Sequence, residues 1–162
     1  MTQAELQEVI AYLAETPVVV RRLTGALGGG AALRRKPAAD EFSALEHACH
    51  LRDIEREGYA VRLRRLLTED EPALPDLDGD RLARERDYQS QELTEALDAF
   101  AGARAANVAL IAQLSPAQLE RTGTFEGAGR ITLARLVEMM RAHDEAHRAE
   151  LGALGARVAP EA

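Results

Sequence analysis

The chain has 162 residues, enough for one domain with a real core, and 29% charged against 46% hydrophobic residues is a globular balance rather than a disordered one. A formal charge of −7 offers no basic footprint for nucleic acid. No stretch reaches transmembrane length, "MTQAELQEVI" lacks the pattern of a secretory signal, and the single Cys49 cannot form an internal disulfide, so a cytoplasmic protein is expected.

Ala, Leu, Arg and Glu dominate while aromatics make up 4%, and the apolar spacing is helical nearly throughout. The first helix begins near Thr2 and carries Leu6, Ile10 and Leu13. Thr16 and Pro17 form a fresh N-cap and first helical position, predicting a kink or restart there, and Gly28–Gly30 end the segment. Ser43 and Glu46 fit a capping box for a second helix running to about Leu67, with Leu51, Ile54, Gly58 and Val61 on its buried line. Arg62, Arg64 and Arg65 sit among acids and read as a solvated face.

"TEDEPALPDLDGD" reads as a long loop, "RLARERDYQSQEL" as a short helix or turn, and about Gln91 to Leu114 as the third long helix. Ser115, Pro116 and Gln118 start a short helical segment, and the three glycines of "TGTFEGAGR" predict a turn or loop. Thr132 caps the last helix, which continues to about Leu154, before the tail "RVAPEA". Four long amphipathic helices in a single unit, 1–162, predict an all-α four-helix bundle. The long connections leave room for crossovers. A homodimer is compatible with its exposed helix faces, though nothing in the sequence requires one.

On the last helix Leu133, Leu136, Met140, His143, His147 and Leu154 follow a core-facing seam, with Arg141, Asp144, Glu145 and Arg148 pointing elsewhere. His143 and His147, one turn apart on one face, are placed to share a divalent ion or to act as two hydrogen-bonded core residues. The second helix offers a third imidazole, either His47, one turn before Leu51, or His50, one turn before Ile54. Spacing does not choose between them. Three neutral imidazoles leave an open coordination position, the catalytic rather than the structural pattern.

Asp53 and Glu46, near His50, and Asp144, beside His143, are candidate carboxylate partners for metal-bound rings. Arg104 lies on the core stripe of the third helix with Leu93, Leu97, Phe100, Ile111 and Leu114. Its guanidinium suits either a substrate carboxylate or a structural ion pair. Cys49, adjacent to His50, points about 100° away on a helix and reads as a small core residue. Tyr59, Tyr88, Met139 and Met140 read as packing residues.

"EFSALEHACHLRDIE" and "GAGRITLARLVEMMRAHDEAHRAEL" resemble the two signatures of DinB-like (YfiT-like) proteins: a His-Leu-x-Asp-x-Glu helix, and a glycine turn leading to a helix that ends His-Asp-x-x-His. The resemblance spans residues 40 to 154; Phe42 and Leu82 stand where tryptophan is usual. It implies an up-down-down-up bundle in which His50, His143 and His147 hold a divalent metal, be it zinc, nickel, iron or manganese. His47 then becomes an additional polar residue of the second helix.

The resemblance also implies chemistry. Characterised relatives are metal-dependent transferases that use low-molecular-weight thiols such as bacillithiol or mycothiol, along with an isomerase of the same thiol class. The expectation is therefore a thiol-dependent S-transferase acting on a small electrophilic substrate. The alternatives are a metal-assisted hydrolase and a non-catalytic stress-induced metal-binding protein.

Overall fold

The computed structural model describes residues 1–158, so that of the closing "RVAPEA" only Arg157 and Val158 fall inside it. Helix α1 (Gln3–Gly25) opens on a Thr2–Glu5 capping box and runs unbroken through Pro17, without the expected restart. A proline inside a helix leaves the carbonyl four residues back without its donor. Here that carbonyl, of Leu13, accepts from Arg104 Nη1 at 3.1 Å, so the helix continues. Three consecutive glycines with positive φ, Gly28 to Gly30, turn the chain into the short α2 (Ala31–Arg34).

The second long helix comprises α3 (Ala44–Asp53), a π-helical turn at Ile54–Tyr59, and α4 (Ala60–Thr68). The Ser43–Glu46 box closes its start: Ser43 N–H donates to Glu46 Oε2 at 2.8 Å, and Glu46 N–H to Ser43 Oγ at 3.3 Å. A π turn carries extra residue length and rotates everything after it relative to the 3.6-residue pattern. The buried line therefore leaves Val61 and passes to Arg62, Leu63 and Leu66. Arg62 lies in the interior, at 3% exposure, rather than on a solvated face.

Strand β1 (Ala73–Leu74) lies within the expected long loop, followed by α5 (Gly79–Glu85), which Asp78 caps, and a 3-10 turn at Tyr88–Ser90. Helix α6 (Leu93–Ile111) is shorter than predicted at both ends. The Ser115–Gln118 box starts α7 (Pro116–Leu119). The glycine-rich stretch forms an antiparallel hairpin, β2 (Thr122–Phe125) with β3 (Gly129–Thr132), and β1 pairs parallel to β2. Gly123 permits that pairing, because a Cβ there would meet Pro72 O at 2.8 Å. Helix α8 (Leu133–Arg157) starts on Thr132, whose side chain accepts from Arg135 N–H.

Four helical rods make the bundle: α1, α3–α4, α6 and α8. Arg148 bonds Glu15 and Gly155 packs on Leu27, so α1 and α8 run parallel. Gln89 reaches Ser43 just ahead of α6, and Asn107 reaches Glu55, so α3–α4 and α6 also run parallel. Contacts of Arg21 with Asp98 and of Leu13 with Arg104 make α1 antiparallel to α6. The order is up-down-down-up, an all-α bundle with a small sheet at one end.

The core divides in two. One cluster includes Leu6, Leu13, Leu63, Leu136 and Met140, and the other Val20, Leu45, Leu51, Phe100 and Leu151. Between these groups, along every rod, lie buried polar residues: Thr16, Glu55, Arg104, Asn107 and Asp144. No helix among the described residues is long and apolar enough to cross a membrane.

Candidate metal centre

The histidines lie beside this polar layer. His50 comes from α3, one turn ahead of the π turn, and His143 and His147 from successive turns of α8. Their Nε2 atoms converge: His50 and His143 are 3.2 Å apart, and His147 and His143 are 3.1 Å apart. Two nitrogens bound tetrahedrally at roughly 2.0–2.1 Å from one ion stand roughly 3.3 Å apart, close to both of these separations, and the three ligand atoms all lie within 4.8 Å of one another. His50 Nδ1 and His143 Nδ1 are buried without hydrogen-bond partners. The rings are thus not anchored by ordinary polar contacts, and what they share is the point on which their Nε2 atoms converge.

Burial favours the neutral ring at His50 and at His147. It lowers the His50 pKa to about 3 and also lowers that of His147, with His143 and His47 adding to the effect at both. Neutral imidazole is the metal-binding form. On the other side of the ring, His147 Nδ1 lies 3.0 Å from Glu150 Oε2 and 3.0 Å from His47 Nδ1. A metal on Nε2 leaves the proton on Nδ1, where Glu150 can accept it and fix the ring. His47 is buried at 4% exposure, its pKa lowered to about 4 chiefly by burial. It packs behind His147 and makes a second three-residue group, His47–His147–Glu150.

The other expected site residues are placed differently. Asp53 accepts from Tyr88 Oη at 2.7 Å, Arg86 Nη1 at 2.8 Å and Arg52 Nε at 2.6 Å, so its carboxylate clamps the α5–α6 connection to α3 rather than orienting His50. Glu46 is committed to the cap of α3. Arg104 does not reach the cavity beside the histidines. It bonds Asp144 through both terminal nitrogens, Glu55 Oε2 at 2.8 Å and the Leu13 carbonyl, a structural ion cluster rather than a substrate contact.

Asp144 is the most buried carboxylate of α8 and faces the bundle centre, whereas the seam reading pointed it away. Burial raises its pKa, but His143 and the Arg104 guanidinium lower it more, so it stays ionised. Its Oδ1 is 4.0 Å from His143 Nδ1, too long for a hydrogen bond. With Glu55, Asp144 outnumbers the single charge of Arg104. That net negative charge, one residue from His143, favours a cation at the three histidines.

Sequence reasoning missed Glu55, Arg62 and Glu150. Glu55 closes the His-Leu-x-Asp-x-Glu motif one turn after Leu51, Arg62 is set by the π turn, and Glu150 carried no signal beyond standing one turn after His147. Cys49 is buried with its thiol raised to about 11 by burial, which suits packing and not a thiolate.

Two cavities lie beside the histidines. The larger, about 510 Å³, is walled by His50, His143 and His147 with apolar side chains that include Ile54, Leu77 and Phe125. The smaller, about 220 Å³, lies beyond His147 and mixes His47, Glu150, Glu41 and Arg157 with the apolar Pro37, Phe42 and Leu154. His147 borders both.

A family model described as the DinB superfamily matches residues 12–151. The chain belongs to that superfamily. YfiT from Bacillus subtilis, described as a probable metal-dependent hydrolase with an unusual four-helix bundle topology, superposes on this DinB-superfamily chain with a TM-score of 0.88. At 20% identity, over 97% of this chain and 89% of that one, the likeness establishes the fold. No curated protein matches the chain.

Proposed function

We propose that this DinB-superfamily protein is a divalent-metal-dependent enzyme that transfers a low-molecular-weight thiol to a small electrophile. The observation that carries the reading is the convergence of three imidazoles, with His147 bordering two separate cavities. Hydrolysis needs room for one organic substrate, whereas group transfer needs room for two. The cavity past His147 offers a hydrophilic thiol the polar groups of Glu41, His47, Glu150 and Arg157, and the larger, more apolar one suits the electrophile.

A divalent ion held by His50, His143 and His147 would supply Lewis acidity, lowering a thiol's pKa so that thiolate is available near neutral pH. Glu150 Oε2, 3.0 Å from His147 Nδ1, would steady the His147 ring. The walls of Ile54, Leu77 and Phe125 keep water from the electrophile. Tyr59, its pKa raised by burial, remains a protonated donor beside His143, with ring centroids 5.8 Å apart.

The test is product analysis of zinc-loaded protein given an aryl halide with and without N-acetylcysteine. Expected is a thioether, with halide and a proton released, lost on chelation and in His143→Ala. A metal-dependent product carrying oxygen in place of sulfur favours the hydrolase reading, which the description of YfiT also suggests. A thioether rate indifferent to metal overturns both.

A further inference from the structure

Two arginines are buried in the bundle, and their surroundings differ. Arg104 faces two buried carboxylates, Glu55 and Asp144. Arg62, on α4 at 3% exposure, has no buried carboxylate partner among the described residues. Its Nε and Nη2 donate to the Pro75 carbonyl at 3.1 and 2.9 Å, and Nη2 reaches Asp76 Oδ1 at 3.2 Å. The Asp76 side chain is 62% exposed, so the charge it offers is largely screened. Burial accordingly lowers the Arg62 pKa, against the rise at Arg104.

Among the described residues Nη1 of Arg62 donates to nothing, and it lies where Gly58 leaves room: a Cβ at Gly58 would sit 3.1 Å from it. The guanidinium stacks over Phe125 at 4.6 Å and Tyr59 at 5.6 Å, which fixes its plane. The Tyr59 hydroxyl, on a residue 5% exposed, has no hydrogen-bond partner among the described residues. Arg62 and Tyr59 both line the 510 Å³ cavity that ends on the three histidines.

An arginine held in one plane, short of a buried counter-charge and beside an unused phenol donor, is a carboxylate site. We infer that the larger cavity takes small molecules with an apolar body and one carboxylate, the carboxylate bound by Arg62 Nη1 and the Tyr59 hydroxyl. The apolar body lies along Ile54, Leu77 and Phe125. The reacting end then points at the histidines, which rests on the metal reading above; the anion contact does not. Asp76 is the competing anion, and its exposure lets a ligand carboxylate replace it.

The test titrates the full-length zinc-loaded protein with hexanoate and with hexanamide, following amide chemical shifts, and repeats both after chelation. Hexanoate is expected to bind at least about tenfold more tightly than hexanamide with or without zinc. Arg62→Gln is expected to abolish the preference and Tyr59→Phe to reduce it, while Asp76→Asn strengthens hexanoate binding. Should Arg62→Gln fail to fold, as judged by its melting curve, Tyr59→Phe and Asp76→Asn decide. Equal binding of the two ligands overturns the inference. So does a preference that needs zinc and survives Arg62→Gln, since the carboxylate is then on the metal. Zinc content of the same samples reports separately on the metal reading.

Discussion

Replacing Gly79 with alanine tests how tightly the fold holds the metal-facing rings. Gly79 opens α5 and carries no positive φ, so alanine suits its backbone. Its side chain does not fit: the new Cβ would stand 2.6 Å from His50 Cε1 and 2.7 Å from His50 Nδ1, where ordinary contact begins near 3.4 Å. The His50 ring must give way by about 0.8 Å, against a tolerance of about 0.2 Å in metal–ligand distances. It has little room, with the Phe42, His143 and His147 rings at centroid distances of 5.2, 5.3 and 4.9 Å.

Zinc affinity of Gly79→Ala, measured by competition with a chromogenic chelator, is expected to fall by about 10–100-fold. Gly102→Ala, on the open face of α6 with nothing within 4 Å, is the control. It should leave zinc affinity unchanged and stabilise the helix by about 0.5–1 kcal/mol. Wild-type zinc affinity in Gly79→Ala would refute the argument that α5 packs His50 into its binding position.

Other outcomes follow from the polar layer. Arg104→Met leaves Glu55 and Asp144 buried without their cation and should cost about 3–5 kcal/mol in urea unfolding; a loss below about 1 kcal/mol contradicts the cluster's structural role. Pro17→Ala should shift stability by no more than about 1 kcal/mol, well short of the ~3 kcal/mol of an ordinary mid-helix proline, because Arg104 already satisfies the Leu13 carbonyl. Chelated protein should lose stability as pH falls. The folded-state pKa values of His47 and His50, about 4 and about 3, lie below the 6.5 of the unfolded chain. Below pH 6.5 the unfolded state takes up protons that the folded state refuses, steepening the loss by up to about 1.4 kcal/mol per pH unit for each ring. Urea midpoints that stay flat from pH 7 to pH 5 would contradict this.

Local signals in the sequence carried much of the fold. The Ser43–Glu46 and Ser115–Gln118 boxes and the Thr132 cap mark helix starts found in the structure, since capping is decided within four residues. Nonlocal compensation was not legible. Pro17 breaks a helix by every local rule, and what rescues it arrives from a residue 87 positions downstream. Strands of two and four residues are too short to display alternation, so the β2–β3 hairpin read only as glycines.

The site shows the same division. The one-turn spacing of His143 and His147 placed them together, and the motif around His50 paired them with α3. The π turn then overrode the expected phase of the second helix. It turns Arg62 inward, which no 3.6-residue count foresees. Asp144 went astray for a related reason: the seam was counted through the histidines, while the bundle centre lies one position further round α8.

The most direct measurement is metal content. Full-length protein without a histidine tag, equilibrated with zinc and desalted, should carry one zinc per chain by elemental analysis, and His50→Ala, His143→Ala and His147→Ala should each lose it while keeping their helical circular dichroism. Folded wild-type protein without stoichiometric zinc, or folded variants that retain it, would contradict the account.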